Sequence, residues 1–481
     1  MPITACKKKL YSCRPYRDAD NAKQFVESQH SRRRTRQAAG DSLSIERGVR
    51  QMLADKVSGH LVGVWLLVAE HLRLGTWDLL RSWTGQPSER IEARLALQLV
   101  HEAALCTAGV RRDRTMTSRG GFELANGLPF IASDATVHCL LAAHSTADAR
   151  QLQVALGKLR RIGGDFRGKV LALDPHRVKS YSQRQMRMHA KTAREKPMKM
   201  SQTFWLLDAE TSQPLCFTTA TAARTVTRAT PDLLDLAAQI LSPQEQRTLV
   251  LADAEHYSAE LLDHVAQRPQ FDLLVPMSNS RQLSRELGTI PSEDFTRRWA
   301  GFATTKRPYV MKRGKSDPLT QYVQRSGERP DDCRYKAFLS TVAGDEVGLL
   351  TEQFPSRWHV EEFFNLDQAL GWKRAGTLNL DIRYGQMSMA LIAQAVIHQL
   401  RTRLEAPFRQ WDAAHLARDL FLGLDGDVRV KNDTIIVTYY NAQNADQLRR
   451  HYEDLPNKLS REGVSPAIPW LYGFQLDFRF R

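Results

Sequence analysis

From Ser42 onward, apolar side chains recur at helical intervals. Ile45, Val49, Met52 and Leu53 share one face, with Val57 a turn further on. Trp65, Leu66, Val68, Leu72 and Leu74 extend an apolar helical region to Gly75, a natural stop. A second periodic stretch, Ile91 to Leu105, carries Leu95, Leu99 and Ala103 at helical offsets. Leu124-Ala125-Asn126-Gly127 then reads as a short linker, and Ser133 as the N-cap of a helix reaching about Ala143. Helix, glycine turn and capped helix have the order of a helix-turn-helix, although an ordinary helical core fits the spacing equally well.

Past Gly163-Gly164 the period shortens. Lys169–Leu173 is an apolar strand running into Asp174, and Thr203–Leu207 and Pro214–Thr219 follow as two strands joined by a turn. Pro231 opens a helix through about Leu241, and Thr248–Ala252 is a strand running into Asp253. Ser258–Gln267 reads as helix and Phe271–Val275 as strand, which together predict an α/β layered fold with a mixed sheet. Residues 277–345 interrupt the pattern with an Arg-, Lys-, Ser- and Gly-rich insertion holding β-like pieces at Tyr309–Met311 and Tyr335–Val342. Long helices over Gln353–Leu370 and Tyr384–Leu404 follow, then a hairpin of Val428–Val430 against Thr434–Tyr439 around Asn432-Asp433. The aromatic run Trp470–Phe474 reads as packing. The expected organisation is a basic leader over 1–40, a helical DNA-binding domain over 41–165 and a catalytic domain over 166–404. A packing or dimerisation segment over 405–481 completes it.

Charge narrows the partner. With 68 Lys and Arg against 53 Asp and Glu, the chain carries a formal +15, which favours a polyanion, nucleic acid before membrane surface. Lys7-Lys8-Lys9 and Arg32-Arg33-Arg34 lie in a leader with few apolar anchors, a segment expected to order on DNA or to stay solvated. Six scattered cysteines without a Cys-x-x-Cys pair argue against a zinc ribbon or disulfide scaffold and suit a reducing cytosol. Leu61–Leu74, the longest apolar candidate, is cut by Glu70, His71 and Arg73, so no membrane span is expected and the reading is a cytoplasmic protein.

Two aspartates in matching contexts, Val-Leu-Ala-Leu-Asp174 and Leu-Val-Leu-Ala-Asp253, stand where open α/β sheets expose functional groups. Adjacent strands would bring both carboxylates within a few ångströms, a costly juxtaposition unless a cation neutralises them or one is protonated. Hard oxygen donors select Mg2+, with Mn2+ as the alternative. A third element, Phe354-Pro-Ser-Arg357-Trp-His-Val-Glu361-Glu362-Phe363-Phe364, puts Arg357 and Glu361 at i and i+4 on one helix face. Glu362 points about 100° away from Glu361 around that helix. The carboxylate can reach a shared metal and the arginine a DNA phosphate.

With those residues in place the sequence resembles the bacterial insertion-sequence DDE transposases that carry a Tyr-x-x-Arg-x-x-x-Glu-x-x-x-x-x-x-Lys signature. Arg357 and Glu361 match the Arg and Glu, while Phe354 replaces the tyrosine and Gln368 the lysine. The likeness extends over roughly residues 120–400. It implies a ribonuclease-H-like mixed sheet with helices on both faces, and a magnesium pair held by Asp174, Asp253 and Glu361 as catalytic residues. It further implies double-stranded DNA as substrate and a homodimer on DNA. The expected reaction is cleavage at element ends, then attack of the freed 3′-hydroxyl on target DNA. A metal-dependent nuclease of the same fold and a catalytically silent DNA-binding derivative are the competing readings. Candidate DNA contacts are Arg357, Trp299 stacking on a flipped base, and Lys312 and Lys315 in a basic cluster with Lys306, Arg307 and Arg313. Lys373 or Arg374 would stand in for the missing signature lysine. His176, beside Asp174, is expected to cap or hydrogen-bond rather than to ligate.

Overall fold

In the computed structural model the described residues are 42–481, except 86–90, 109–119, 181–184, 186–187, 190–195, 222, 242–246, 300, 312, 315–318, 328, 330–331, 374–376 and 378. The chain divides into two compact units, Met1–Leu156 with Asn365–Arg481, and Gly157–Phe364.

The first unit is mainly helical. Ile45, Val49 and Leu53 are buried on the Ser42–Ala54 helix, as their spacing predicts. Trp65–Leu74 ends at Gly75 with φ +70, which a residue without Cβ adopts freely. Ser133 caps Asp134–Ala143 by accepting from the Thr136 N–H. The Leu380–Leu404 helix begins where the Asn379 side chain accepts from the Asp381 and Ile382 N–H groups. It is buried over most of its length, packing against Glu92–Ala104, Trp65–Leu74 and Asp134–Ala143. The segment 166–404, expected as one domain, is therefore divided: its last helix belongs with the helical unit, because its apolar surface is covered by that unit's helices. Val57 does not continue a helix. It opens the strand Val57–Gly59, which pairs with Gly426–Lys431 in a four-stranded sheet. The expected hairpin Gly426–Lys431 and Thr434–Tyr439 turns at Asn432 and Asp433, both at positive φ, and Gln475–Phe480 joins it in parallel. Trp470 is fully buried, its Nε1 donating to the Ala125 carbonyl.

The second unit is built on one mixed sheet, ten-stranded among the described residues. Its centre runs Gln213–Thr221, Met198–Asp208, Val170–Lys179, Thr248–Leu251 and Phe271–Pro276. Among the first three each strand is antiparallel to its neighbour, and Val170–Lys179, Thr248–Leu251 and Phe271–Pro276 are parallel. The expected insertion does not stand apart. Arg334–Ser340 pairs with Phe271–Pro276, and Leu319–Ser326, Phe302–Tyr309 and Thr296–Trp299 continue the same sheet. One face is covered by Val226–Ile240, where Cys216 Sγ contacts the Leu233 carbonyl, and by Ala259–Ala266. Val226–Ile240 begins before Pro231, because Thr225 caps it by accepting from the Arg228 N–H. The other face is covered by residues 348–364, where Leu349, Leu350 and Phe354 pack on Leu249, Leu251, Leu274, Tyr322 and Phe338.

Candidate active site

Asp174 does not end its strand. It is the fifth residue of Val170–Lys179 and pairs with Trp205. The partner strand Met198–Asp208 carries the polar His176-Arg177-Val178-Lys179 onward, so composition alone hides the continuation. Thr248–Leu251 does stop, and Asp253 caps the next turn by accepting from the Glu255 N–H. The register nevertheless brings the two acids together. The last parallel pair is Ala172 with Leu251, and each aspartate lies two residues further on. Asp174 shares the sheet face of Ala172, which residues 348–364 cover, and Asp253, just past the end of its strand, lies near enough for its charge to act on Asp174 and for Arg357 to act on both.

Each carboxylate is about a quarter exposed, 24% for Asp174 and 27% for Asp253. Burial and the charge of Asp253 push the Asp174 carboxyl up to about 7, against opposition from Arg357; Glu361 adds to the rise. Burial works the same way on Asp253. There it is outweighed by His256, whose Nδ1 donates to Asp253 Oδ1 at 2.6 Å, and by Arg357, leaving the group below its usual value. Asp253 is thus the charged member and Asp174 the one that tends to keep a proton. An Arg177–Glu255 ion pair, not foreseen from sequence, ties the chain just beyond one aspartate to the chain just beyond the other.

The Glu361 segment is not one regular helix. A π turn over Gly348–Gln353 and a 3-10 turn over Phe354–Trp358, with Pro355 at its start, precede the α-helix His359–Asp367. Arg357, expected on one helix face with Glu361, lies in the 3-10 turn and forms an ion pair with Asp174 at 3.3 Å. Val360, Phe363 and Phe364 are buried, and Phe363 and Phe364 pack their rings against Trp205, which anchors the helix over the sheet. Glu361 and Glu362 are exposed. The His176 ring stacks on Phe364 at 4.4 Å beside the aspartates. Trp358, beside Arg357, is 58% exposed, unlike the apolar Val360, Phe363 and Phe364 that follow it.

Among the described residues no three His, Cys, Asp or Glu side chains stand close enough together to hold one metal ion. Asp174 and Asp253 form the near pair, and Glu361 acts on Asp174 through its charge. The donor chemistry nonetheless fits a hard divalent cation. Of these two adjoining oxygen donors, Asp174 has its carboxyl raised by burial and by the charge of Asp253; Arg357 is paired with Asp174, while Arg177 nearby is taken up by Glu255.

Of the candidate DNA contacts, Arg357 lies at the aspartates. Lys312, Lys315, Arg374 and the side chain of Trp299 fall outside the described residues, as does the leader 1–40. Lys373 is described and belongs to the helical unit. Lys306 and Arg307, expected in one basic cluster, alternate along a strand and so point to opposite faces. Arg307 bonds Gln321 at 2.5 Å and Glu286 at 2.9 Å, while Lys306 donates to the Gly344 carbonyl at 3.1 Å.

Residues 165–396 match the family model described as the transposase DDE domain. The match supports a DDE transposase. It contains Asp174, Asp253, Arg357 and Glu361, and DDE transposase domains generally use divalent metal ions. No curated protein matches the chain. Among solved structures, a cryo-electron-microscopy structure of the piggyBac transposase synaptic complex with hairpin DNA aligns at 13% identity and TM-score 0.39. That alignment covers 77% of this chain and 82% of that one, and the likeness is too slight to argue from. Among the described residues no helix is long and apolar enough to cross a membrane.

Proposed function

We propose that this chain is an insertion-sequence transposase of the Tyr-Arg-Glu-Lys type that cuts element ends and joins the freed 3′-hydroxyl to target DNA. The observation that carries the reading is the Asp174–Asp253 pair, one acid within a strand and the other just past the end of its neighbour, with the Asp174 carboxyl raised by burial and by the charge of Asp253. The strand order, three antiparallel strands followed by two parallel ones, supports a ribonuclease-H-like core. Asp174, Asp253 and Glu361 would hold Mg2+ or Mn2+, which when bound activates a water or 3′-hydroxyl and stabilises the leaving oxygen. Arg357, already drawn to this negative field, would hold a phosphate of the scissile strand bidentately. Trp299, Lys312, Lys315, Lys373 and Arg374 are further proposed contacts. The helical segment 41–165 is assigned to DNA binding, and the working form is a homodimer on paired ends.

The test is an in-vitro reaction with Mg2+ and DNA carrying the inverted repeats that flank the gene. Joined products on a target plasmid are expected. Cleavage without joining would reduce the activity to that of a nuclease, and no metal-dependent cleavage would overturn the reading.

A further inference from the structure

Followed across the sheet, the register that brings the two aspartates together leads to a line of named residues. Ala172, Leu251, Leu274, Ser340, Thr320 and Pro308 are paired in succession from strand to strand. One step of two residues toward the carboxyl end of the parallel strands gives Asp174, Asp253, Pro276, Phe338, Tyr322 and Lys306. The last four are themselves directly paired. The next step gives Lys336 paired with Gln324, and the one after gives Arg334 paired with Ser326. Residues paired directly, or two apart on a strand, share a face. Lys306, Lys336 and Arg334 therefore lie on the aspartates' face, at the aspartates' end of the sheet.

On this face Tyr322 and Phe338 belong to the cluster under residues 348–354, and beyond them Lys306, Lys336 and Arg334 are exposed. Lys306 is drawn toward Glu346 at 3.6 Å, and among the described residues Lys336 and Arg334 have no acidic partner. The opposite face differs. There Arg307 and Arg325 are taken up by Glu286 and Gln321, and by Ser292 and the Phe295 ring.

We propose that Lys306, Lys336 and Arg334 form a track for the backbone of the same DNA whose scissile phosphate reaches Asp174 and Asp253. This assignment rests on the transposase reading. Charge complementarity commits the face to DNA, and the strand geometry sets the distance. Measured along the sheet, the strand of Lys336 is three neighbours from that of Asp174, roughly 14 Å, and that of Lys306 is five, roughly 24 Å. At about 3.4 Å of axis per step, these cations meet phosphates some four to seven nucleotides from the cut. Lys336 and Arg334, two residues apart, are about 7 Å from each other and span two such steps.

The experiment measures the affinity of the full chain for a fluorescein-labelled mixed-sequence duplex over a range of salt. The neutral triple variant K306Q/R334Q/K336Q should make the log–log salt slope shallower by about 2–3, at about 0.9 for each phosphate no longer neutralised. The charge-keeping triple K306R/R334K/K336R should retain the wild-type slope, and R307Q on the opposite face should not change it. An unchanged slope in the neutral triple, or an equal change in R307Q, overturns the track. Should the neutral triple fail to fold, K336Q alone must lower the slope by about one unit. Mg2+-dependent nicking of end-containing DNA is assayed in parallel. A slope change without any nicking by wild type removes the transposase reading and leaves a DNA-binding face, whereas nicking with an unchanged slope removes the track alone.

Discussion

In the helical unit Glu70 is fully buried, and its carboxylate accepts from Arg73 at 2.8 Å, Arg403 at 3.1 Å and the Tyr452 hydroxyl at 2.8 Å. Asp367, equally hidden, accepts from Arg401 at 2.8 Å and Gln394 at 3.0 Å. In the sheet unit, Asp174 meets one guanidinium at 3.3 Å and the field of a second carboxylate, with its own carboxyl raised to about 7. Compensated acids of the first kind hold elements together. Under-compensated acids of the second kind leave room for a ligand of opposite charge.

The largest expected effect breaks the uncompensated pair. Replacing Asp174, Asp253 or Glu361 by Ala should lower cleavage at least about a thousandfold, since the metal contribution amounts to several kcal/mol. DNA affinity by anisotropy should stay within a factor of a few. Near-normal turnover in Glu361→Ala would move the third role to Glu362.

Next comes the compensated acid. Glu70→Ala leaves the buried Tyr452 hydroxyl without its acceptor and leaves Arg73 and Arg403 to Glu462 alone, and should cost about 3 kcal/mol in denaturant unfolding. Asp174→Ala removes a group whose charged form is disfavoured where it stands, so at pH 8 without metal it should cost nothing or stabilise. Comparable losses from both would erase the distinction between the two sites.

A smaller effect follows from ligand linkage. Mn2+ at a hundred times its dissociation constant should stabilise the wild type by about 2.7 kcal/mol. Asp174→Asn and Asp253→Asn should each abolish most of that gain, read as a shift in thermal midpoint. A gain that survives in both variants would put the metal elsewhere.

Local patterns carried part of this architecture into view. The apolar runs into Asp174 and Asp253, the Ser133 cap and the Asn432-Asp433 hairpin are all short-range signals, and each appears in the fold. What stayed hidden depends on partners distant in the chain. Val57 becomes a strand only because Val428 pairs with it, and the polar strand Leu319–Ser326 is held by neighbours on both sides. The Gln353–Leu370 helical reading held in outline but missed the change of winding. With Pro355 in it and Phe354 packed on Phe338, the stretch before His359 winds as a 3-10 turn, and its Arg357 pairs with Asp174.

The mildest expected effect compares the two units by pH. His71 and His101 are buried in the helical unit, and their Nε2 atoms lie 3.0 Å apart. Asn126 Nδ2 donates to the Phe122 carbonyl, which turns its Oδ1 toward His101 Nδ1 at 2.8 Å. His101 Nδ1 therefore donates, its Nε2 accepts from His71, and His71 Nδ1 is left buried without a hydrogen-bond partner among the described residues. Burial holds both rings neutral, His71 well below its usual range and His101 at about 4. The unfolded chain takes up these protons near pH 6.5, before the folded one does, so stability is lost as pH falls from 6.5 toward 4. About 1 kcal/mol per ring, about 2 kcal/mol for the pair, should go within the first unit of that window. Asp174 has the opposite sign: its folded value of about 7 lies above the unfolded one, so its contribution grows as pH falls from 7 toward 4. Hydrogen exchange resolved by peptide should show protection falling on mild acidification at residues 65–104 and holding or rising at residues 170–179. His71→Phe should flatten the first trend even if it lowers stability at pH 7. A His71→Phe protein with the wild-type slope would place the proton uptake on other groups.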